Sequence, residues 1–326
     1  MSLGVTASEM TDDYNRHLSD LHARFETPDA LIRQAARAVT TSPLALKARI
    51  VHGEANEVYA LTFENGLEVI MRIARRAEYV FDKERWAIER CLALGMAAPK
   101  VLSIQRLAGE TESLDLCILE KLPGNRLSDS LLLPRETLRS VVRQVGEQLA
   151  RLHSITAADL GDGARFFTND TDDFFATKAE FIELASRAGL GRAALSRAFR
   201  FVEATLARAG PLPRCLTHND LRACHVLVHE GRLSGLIDFG QVSVDSPVND
   251  FAKWDYWEAP ELPAAWLMEG YADKALFGAP YDEVFAALRI ANALWVLRWY
   301  ALTGFAAGVE RAKGRLGQYL AQLRLD

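Results

Sequence analysis

The sequence is poor in cysteine and has no long apolar run. Its four cysteines, at positions 91, 117, 215 and 224, show no paired spacing, which is typical of a reducing compartment and predicts a cytoplasmic protein. No apolar run reaches the roughly 18 residues that a membrane-spanning helix needs, so no membrane span is expected. The first residues also lack the basic-then-apolar pattern of a signal peptide, so export is not expected.

The sequence also lacks an excess of basic residues. It has 38 Lys and Arg residues against 43 Asp and Glu residues in a chain of 326. This slight acidity argues against nucleic acid as a partner, and nothing in the composition implies an obligate protein partner. The length is sufficient for two lobes with apolar cores, and neither internal repeats nor low-complexity segments occur.

The polar residues most suited to chemistry lie between Arg214 and Val248. A short apolar strand, Cys215–Thr217, leads into His218-Asn219-Asp220, and two further strands joined by a turn end at Asp238. A loop carboxylate such as Asp220 can orient a hydroxyl and accept its proton. A carboxylate at a strand end, such as Asp238, can hold Mg²⁺ on nucleotide phosphates. The residues alone leave open an ordinary β-hairpin that carries surface acids.

Two motifs in this stretch resemble the paired signatures of the aminoglycoside phosphotransferase-like kinases. His218-Asn219-Asp220-Leu221 is similar to the start of H-x-D-x-x-x-x-N, and Ile237-Asp238-Phe239-Gly240 is similar to I-D-[FW]. The resemblance implies an α+β, protein-kinase-like fold with a small β-rich lobe and a large, mainly helical lobe. It also implies transfer of phosphate from ATP or GTP to a hydroxyl of a small molecule, with Asp220 as the catalytic aspartate and Asp238 as the Mg²⁺ ligand.

One position departs from the family pattern. His225 stands five residues after Asp220, where these kinases usually have a metal-binding Asn. Macrolide phosphotransferases and some 2″-aminoglycoside phosphotransferases resemble this sequence in having His at that position. The resemblance therefore favours these subfamilies, and kinase activity is still expected. We expect His225 to bind the metal with Asp238. The alternative, that His225 only hydrogen-bonds Asp220 or a phosphate, stays open.

A zinc site is the competing interpretation of the same loop. Cys215, His218, Cys224 and His225 follow the spacing C-x₂-H-x₅-C-H. The adjacent pair Cys224 and His225 does not suit the register of a strand, so a zinc site is not expected. Cys224 is expected to fill apolar space instead.

Residues 44–74 change from helical to strand periodicity. Strands are expected at Ala48–Val51, Val58–Phe63 and Leu67–Ile73, after a helix that starts at an N-cap Thr27. The first intervening loop, with Gly53 and Asn56, resembles the loop that covers the phosphates in kinases. It is poor in glycine, so an ordinary hairpin remains open.

A basic residue in the third strand provides a second departure. Arg72 stands where related enzymes commonly place Lys, and Arg also binds phosphate, in bidentate geometry. In the helix that follows, Glu84 resembles the family position whose carboxylate pairs with this cation, with Glu89 as the competitor. Both departures, Arg72 and His225, also fit a non-catalytic kinase-like scaffold. The presence of the two catalytic signatures favours the enzyme.

The remaining sequence completes the expected two-lobed organisation. Residues 1–43 are expected to form an N-terminal extension and helix, residues 44–122 the small lobe, and residues 123–326 the large lobe with a helical substrate-binding subdomain. Glu120 and Leu122 belong to a segment that resembles the hinge, whose backbone binds the nucleotide base. A helix is expected over 134–153, and His153 at its end is expected to make structural hydrogen bonds.

Two further groups of residues have expected structural roles. His218 and Asp250 resemble family positions that support the catalytic loop, with Asp250 bracing it from beneath. After residue 263 the sequence is helix-prone, and an aromatic stripe of Trp295, Trp299 and Tyr300 is expected in the core.

The segment after Asp250 supplies the main hint about the substrate. Asp255, Glu258 and Glu261 recur every three residues, so on a helix they would share a face, beside Trp254 and Trp257. Carboxylates next to aromatic rings suit a cationic, polyhydroxylated ligand. An aminoglycoside-like molecule is therefore favoured, followed by a macrolide because of the histidine in the loop, and then by a metabolite alcohol such as choline or an amino-acid alcohol. A solvated helix face over an aromatic core remains the alternative.

Overall fold

Alternating apolar side chains build an antiparallel sheet in the first part of the chain. The computed structural model describes residues 7–54, 56–75, 81–108, 113–167, 176–187, 189–258 and 260–324. The chain divides into two compact units with the boundary between Pro123 and Gly124. The strands of the first unit, in the order β1-β2-β3-β5-β4, are β1 (Leu44–Ile50), β2 (Asn56–Phe63), β3 (Glu68–Ala74), β4 (Val101–Ala108) and β5 (Ser113–Glu120).

Two helices cover opposite faces of this sheet. The helices of the first unit are α1 (Ala7–His22), α2 (Asp29–Ala36) and α3 (Phe81–Ala93). Val69 and Met71 on one face of β3 belong to the same buried cluster as Ile32 of α2, whereas Arg72 points to the opposite face and reaches α3. Residues assigned from sequence to an N-terminal extension therefore contribute to the core of the first unit.

A buried carboxylate, Glu57, ties the segment before α2 to the sheet. The prediction that Thr27 caps α2 is wrong, since the N-cap is Pro28. Thr27 instead donates its hydroxyl to Glu57 at 2.8 Å, and Arg75 and Tyr59 also bond to this carboxylate. Burial raises the pKa of Glu57, but the bonds from Tyr59, Arg75 and Thr27 outweigh burial and lower it below its ordinary value.

The second unit is mainly helical and contains two small antiparallel sheets. Its helices are α4 (Arg135–Leu152), α5 (Lys178–Arg187), α6 (Arg192–Ala209), α7 (Val248–Glu258), α8 (Ala264–Gly270), α9 (Tyr281–Thr303) and α10 (Ala306–Gln322). Its strands are β6 (Asn125–Arg126), β7 (Cys215–Thr217), β8 (Val226–His229), β9 (Arg232–Leu236) and β10 (Ser243–Asp245). Strand β7 pairs with β10, and β8 pairs with both β6 and β9. No helix among the described residues is long and apolar enough to cross a membrane.

The expected aromatic core stripe on α9 is wrong in two of its three members. Tyr300 is buried, but Trp295 and Trp299 are 37% and 38% exposed. The buried face of α9 runs through Ile290 and Leu297 to Tyr300, and the two tryptophans lie outside that face. Helix α5 begins at Lys178, and residues 168–175 lie outside the described part of the chain.

Helices α4 and α8 pack backbone against backbone through two glycines. A Cβ on Gly146 would lie 2.1 Å from the carbonyl oxygen of Leu267, and a Cβ on Gly270 would lie 1.8 Å from that of Arg143. Real Cβ atoms do not approach carbonyl oxygens so closely, so the two helices would have to separate to accept a side chain at either position. The short distance between α4 and α8 therefore depends on both glycines.

Replacing either glycine should destabilise the protein. We expect Gly146→Ala and Gly270→Ala each to lower the free energy of unfolding by about 1–3 kcal/mol or more, because overpacking forces the helix backbones apart. Gly317→Ala is the matched control, since Gly317 is an exposed position in α10 where a Cβ would meet nothing within 4 Å. It should raise stability by about 0.5–1 kcal/mol through helix propensity alone. Urea denaturation followed by far-UV circular dichroism measures all three, and equal effects at 146, 270 and 317 would contradict the proposed packing.

Candidate active site

The carboxylate of Asp250 holds the loop that follows β7. Asp250 is fully buried in the first turn of α7. Its Oδ2 accepts a hydrogen bond from the backbone N–H of His218 at 2.8 Å, and its Oδ1 accepts one from the N–H of Asn219, also at 2.8 Å. Because both bonds go to the main chain, they fix the path of the loop directly before Asp220. This is the position that the family resemblance assigns to a bracing aspartate.

His153, at the end of α4, is the third partner of Asp250. Its Nε2 lies 3.0 Å from the carboxylate, and its Nδ1 lies 3.1 Å from the hydroxyl of Tyr271. Burial raises the pKa of Asp250, but the hydrogen bond and charge of His153, with the contribution of His218, outweigh burial and lower it below its ordinary value. The carboxylate is therefore ionised at neutral pH, and its hydrogen bonds are charge-assisted.

Two residues of the site have left-handed backbone conformations. Asn219 has a φ of 60° and Asp238 a φ of 65°, which among residues with side chains Asn and Asp tolerate best. His218 is fully buried, and burial lowers its pKa, so a neutral imidazole donates from Nε2 to the carbonyl of Ile237 at 3.1 Å. This bond ties the loop that carries Asp220 to the residue directly before Asp238.

Asp220, His225 and Asp238 lie together in the second unit. Their candidate metal-binding atoms are all within 4.8 Å of one another. The Nδ1 of His225 lies 2.7 Å from the backbone carbonyl of Asp220, and its Nε2 faces the carboxylate of Asp238 at 3.5 Å. Both carboxylates are partly exposed, and the imidazole is nearly buried. The three residues that the sequence assigns to catalysis and metal binding are therefore close enough to act on one ligand.

His225 is charged at neutral pH. Burial lowers its pKa, but the Cys224 sulfur and the Asp220 carboxylate outweigh burial and raise it to about 9. Cys224 is only partly buried; burial raises its pKa, and the charges of His225 and Arg222 lower it to a value below the ordinary one. The prediction that Cys224 simply fills apolar space is therefore wrong, because its sulfur interacts with a charged imidazole. His225 can ligate a metal only after losing its proton.

Arg222 and the bracing role of Glu258 were missed by the sequence analysis. Arg222 donates to the Asp220 carboxylate at 3.0 Å, and its guanidinium carbon lies 4.9 Å from the ring centre of Trp257. The carboxylate of Glu258 accepts the backbone N–H of Ala223 at 2.8 Å, and burial raises its pKa. Arg222 could have been found from the sequence, because it is a cation two residues after the catalytic aspartate. The contact of Glu258 could not, because no local pattern shows that a carboxylate at the end of a helix reaches this loop.

The predicted substrate face of α7 is wrong in three residues. Glu261 lies in an exposed turn after the helix has ended, so it does not share a helix face with the other acids. Asp255 forms an ion pair with Arg289 at 2.8 Å, so the negative charge of Asp255 is already paired within the protein. Trp254 is fully buried, and its indole N–H donates to the carbonyl of Leu262 at 2.8 Å, so it packs in the core.

In the first unit, Arg72 and Glu84 form a buried ion pair between β3 and α3. Both side chains are nearly inaccessible, and Arg72 also lies over the ring of Phe81 at 5.9 Å. The competing acid, Glu89, is exposed on the same helix. The structure therefore selects Glu84 as the partner of Arg72. A buried pair of this kind holds the guanidinium in a defined orientation.

The other residues assigned to the nucleotide have more varied surroundings. Gly53 has a φ of 78°, and its carbonyl accepts a bond from the imidazole of His22 at 2.9 Å. Asn56 begins β2 with a buried side chain, whose oxygen has no hydrogen-bond partner among the described residues. Glu120 ends β5 and accepts the N–H of Lys100, and Leu122 follows the strand partly exposed. Their contacts with a nucleotide stay predictions.

Comparison with solved structures shows the fold. The chain is similar to aminoglycoside phosphotransferase APH(4)-Ia in a ternary complex with ADP and hygromycin B, with a TM-score of 0.68 and 18% identity over 90% of this chain and 97% of that chain. It is also similar to the GDP complex of aminoglycoside 2'-phosphotransferase-IIIa, with a TM-score of 0.71 and 14% identity over 91% of this chain and 99% of that chain. These likenesses confirm the protein-kinase-like fold expected from the sequence.

Curated sequences give only a short match. The chain is 41% identical over 59 residues to serine/threonine-protein kinase TAO3 of Gallus gallus, and the match covers 18% of this chain. It spans 6% of the length of that kinase, so it supports no statement about that protein's activity here.

The family itself is shown by a longer match. Residues 48–284 match the sequence profile of the phosphotransferase enzyme family, a range that covers well over half of the chain. That range includes the strand of Arg72, the helix of Glu84, the loop of Asp220 and the braced start of α7. The chain belongs to the phosphotransferase enzyme family.

Proposed function

We propose that this phosphotransferase moves the γ-phosphoryl group of ATP or GTP to a hydroxyl of a small molecule, with an aminoglycoside-like antibiotic as the first candidate. The observation that carries the proposal is the convergence of Asp220 and Asp238 next to a loop that Asp250 braces by its main chain. Phosphoryl transfer needs mainly positioning and charge neutralisation, and this arrangement supplies both. The nucleotides present in the similar structures support a nucleotide co-substrate.

Asp220 is the proposed acceptor of the substrate's proton. It is partly exposed, so a hydroxyl can reach it, and its loop is fixed from beneath. Arg222 bonds to the same carboxylate and keeps it oriented. In the first unit, Arg72 is the proposed phosphate-binding cation, oriented by its buried pair with Glu84. Gly53, Asn56, Glu120 and Leu122 keep the nucleotide-binding roles proposed from the resemblance.

The residues at the site also fit Mg²⁺. The carboxylate of Asp238 provides the oxygen ligand that Mg²⁺ prefers, and Asp220 and His225 lie within 4.8 Å. A bound Mg²⁺ would neutralise charge on the nucleotide phosphates. At neutral pH the charged His225 donates to the Asp220 carbonyl, which supports the loop, and it joins the ligand set only when deprotonated.

Fewer observations support the substrate class than support the reaction type. Among the acids expected to face a cationic substrate, Asp255 is paired, Glu258 braces the loop and only Glu261 remains exposed. Support for an aminoglycoside-like acceptor therefore comes from the hygromycin B and gentamicin complexes among the similar structures. Trp257, partly exposed beneath Arg222, stays a candidate substrate contact.

A panel of acceptors tests the function directly. Purified protein with Mg²⁺ and either ATP or GTP is mixed with aminoglycosides including hygromycin B and gentamicin, with macrolides, and with choline and amino-acid alcohols. We expect at least one aminoglycoside to raise ADP or GDP release well above the rate without acceptor. Release stimulated only by the amino alcohols would point to a metabolite kinase. An absence of both release and nucleotide binding would support the scaffold interpretation.

Removing the two carboxylates should have different effects. Asp220→Asn should leave nucleotide binding nearly unchanged and lower turnover by about 10²–10⁴-fold, the usual effect of losing a positioned acid–base group. Asp238→Ala should abolish the Mg²⁺-dependent binding of nucleotide, because the oxygen ligand is lost. Asp282→Asn, an exposed position in the first turn of α9, controls for the loss of one negative charge. Normal turnover in Asp220→Asn would show that the loop is assigned wrongly.

Metal binding should depend on pH through His225. Because its folded-state pKa is raised to about 9, a metal that uses Nε2 must displace a proton at neutral pH. The apparent affinity for Mn²⁺, measured by electron paramagnetic resonance, should therefore rise about tenfold per pH unit between pH 6 and 9 and then level off. In His225→Asn the same titration should be nearly flat. Identical profiles in both proteins would show that His225 is only a hydrogen-bonding residue.

A further inference from the structure

Lys253 lies on the face of α7 that contacts the catalytic loop. Asp250 binds the main chain of His218 and Asn219, and Trp257 stacks against Arg222. Lys253 follows Asp250 by three residues and precedes Trp257 by four, so the three share one helix face. Its side chain therefore extends toward the part of the loop between those two contacts, where Asp220 lies.

No described residue binds the ammonium group of Lys253. It forms no hydrogen bond or ion pair with any residue that the structure describes, although its side chain is partly buried. The nearby carboxylates have other donors: Asp250 has three, Asp220 has Arg222, and Asp245 bonds to Asn249. Burial lowers the pKa of Lys253, and the charges of Asp220, Asp250 and Asp245 oppose that effect.

An ammonium group that lies near Asp220 without a protein partner can bind a ligand at the catalytic loop. Desolvating a charge without a compensating bond opposes folding, and such groups are usually paired. Arg222 is a second cation beside the same carboxylate, and its charge acts on Lys253. Two cations, Arg222 and Lys253, therefore act beside the carboxylate of Asp220. Both can donate hydrogen bonds to an anion that binds over Asp220.

We infer that Lys253 is a catalytic residue that binds the phosphoryl group while it is transferred. The inference rests on the proposed function and adds to it a residue that neither the motifs nor the family match assigns. In the step, the acceptor oxygen forms a bond to the γ-phosphorus and its proton passes to Asp220. The bond between the γ-phosphorus and the bridging oxygen breaks, and its electron pair leaves with the nucleoside diphosphate. Lys253 keeps its protons and donates hydrogen bonds to the equatorial phosphoryl oxygens.

Nucleotide hydrolysis provides a test that needs no knowledge of the acceptor. Transfer of the γ-phosphoryl group to water is measured for wild type, Lys253→Met, Lys253→Arg and the control Lys313→Met. Methionine keeps the length of the apolar stem and removes the charge. Lys313 is a partly buried helical lysine whose partner is Glu310, so it matches Lys253 in type and exposure. We expect Lys253→Met to lower the rate about 10²-fold, Lys253→Arg to restore at least a tenth of it, and Lys313→Met to leave it unchanged.

A second measurement separates a catalytic role from a structural one. The affinities for ADP or GDP alone, and for the same nucleotide with Mg²⁺ and aluminium fluoride as a mimic of the transferring group, are measured by calorimetry. We expect Lys253→Met to leave the affinity for the diphosphate within threefold and to weaken the fluoride complex at least 30-fold. Its melting temperature should stay equal to or above that of wild type, since an unpartnered charge is removed.

Three results would overturn the inference. Equal weakening of the diphosphate and the fluoride complex, or a large fall in melting temperature, would mean that Lys253 has a structural role. Hydrolysis by Lys253→Met at the wild-type rate would remove Lys253 from the catalytic residues while the proposed function stands. If wild type itself neither binds nor hydrolyses ATP or GTP, the proposed function fails, and the role of Lys253 fails with it.

Discussion

The buried carboxylate of Asp250 is the interaction on which the candidate site depends. It accepts bonds from two consecutive backbone N–H groups and from His153, and each charge-assisted bond of this kind contributes about 1.5–3 kcal/mol. The left-handed turn at Asn219 is held by this contact, and the direction of Asp220 follows from that turn. Because Asp250 opens α7, the same helix can place Lys253 and Trp257 against the loop. Asp250 therefore sets both the position of the catalytic loop and the contacts that α7 makes with that loop.

The parts of the site that the sequence predicted are those with short-range signals. The strand, loop and strand around Asp220 and Asp238 follow from apolar runs and polar breaks within 30 or so residues, and their proximity follows from antiparallel pairing. Arg72 and Glu84 could be paired because they match the positions of the strand cation and its helix carboxylate in the family that the motifs resemble. The fold class was predicted from the resemblance of the two motifs to the kinase family, and the match of residues 48–284 confirms the family.

The wrong predictions have a common cause. Whether a side chain is buried depends on its packing against elements that are distant in the sequence. Trp254 and Trp299 both belong to helices with apolar residues on several sides, and local periodicity cannot tell which side the neighbouring helices cover. Glu261 was placed on a helix that ends before it, since helix ends are the least predictable part of an element. Lys253 was overlooked because the absence of a partner is visible only when every neighbour is known.

The two glycines between α4 and α8 also have a consequence for the placement of a proton. Gly270 directly precedes Tyr271, whose hydroxyl meets Nδ1 of His153, and Nε2 of that ring meets Asp250. Because Nε2 faces the carboxylate, it carries the ring proton whenever His153 is neutral, and the Tyr271 hydroxyl then donates a hydrogen bond to Nδ1. The hydroxyl of Tyr271 strengthens this choice of tautomer, and it reaches the ring because neither helix carries a Cβ at the contact. The absence of two methyl groups thereby helps to hold the ring proton on Nε2, beneath the catalytic loop.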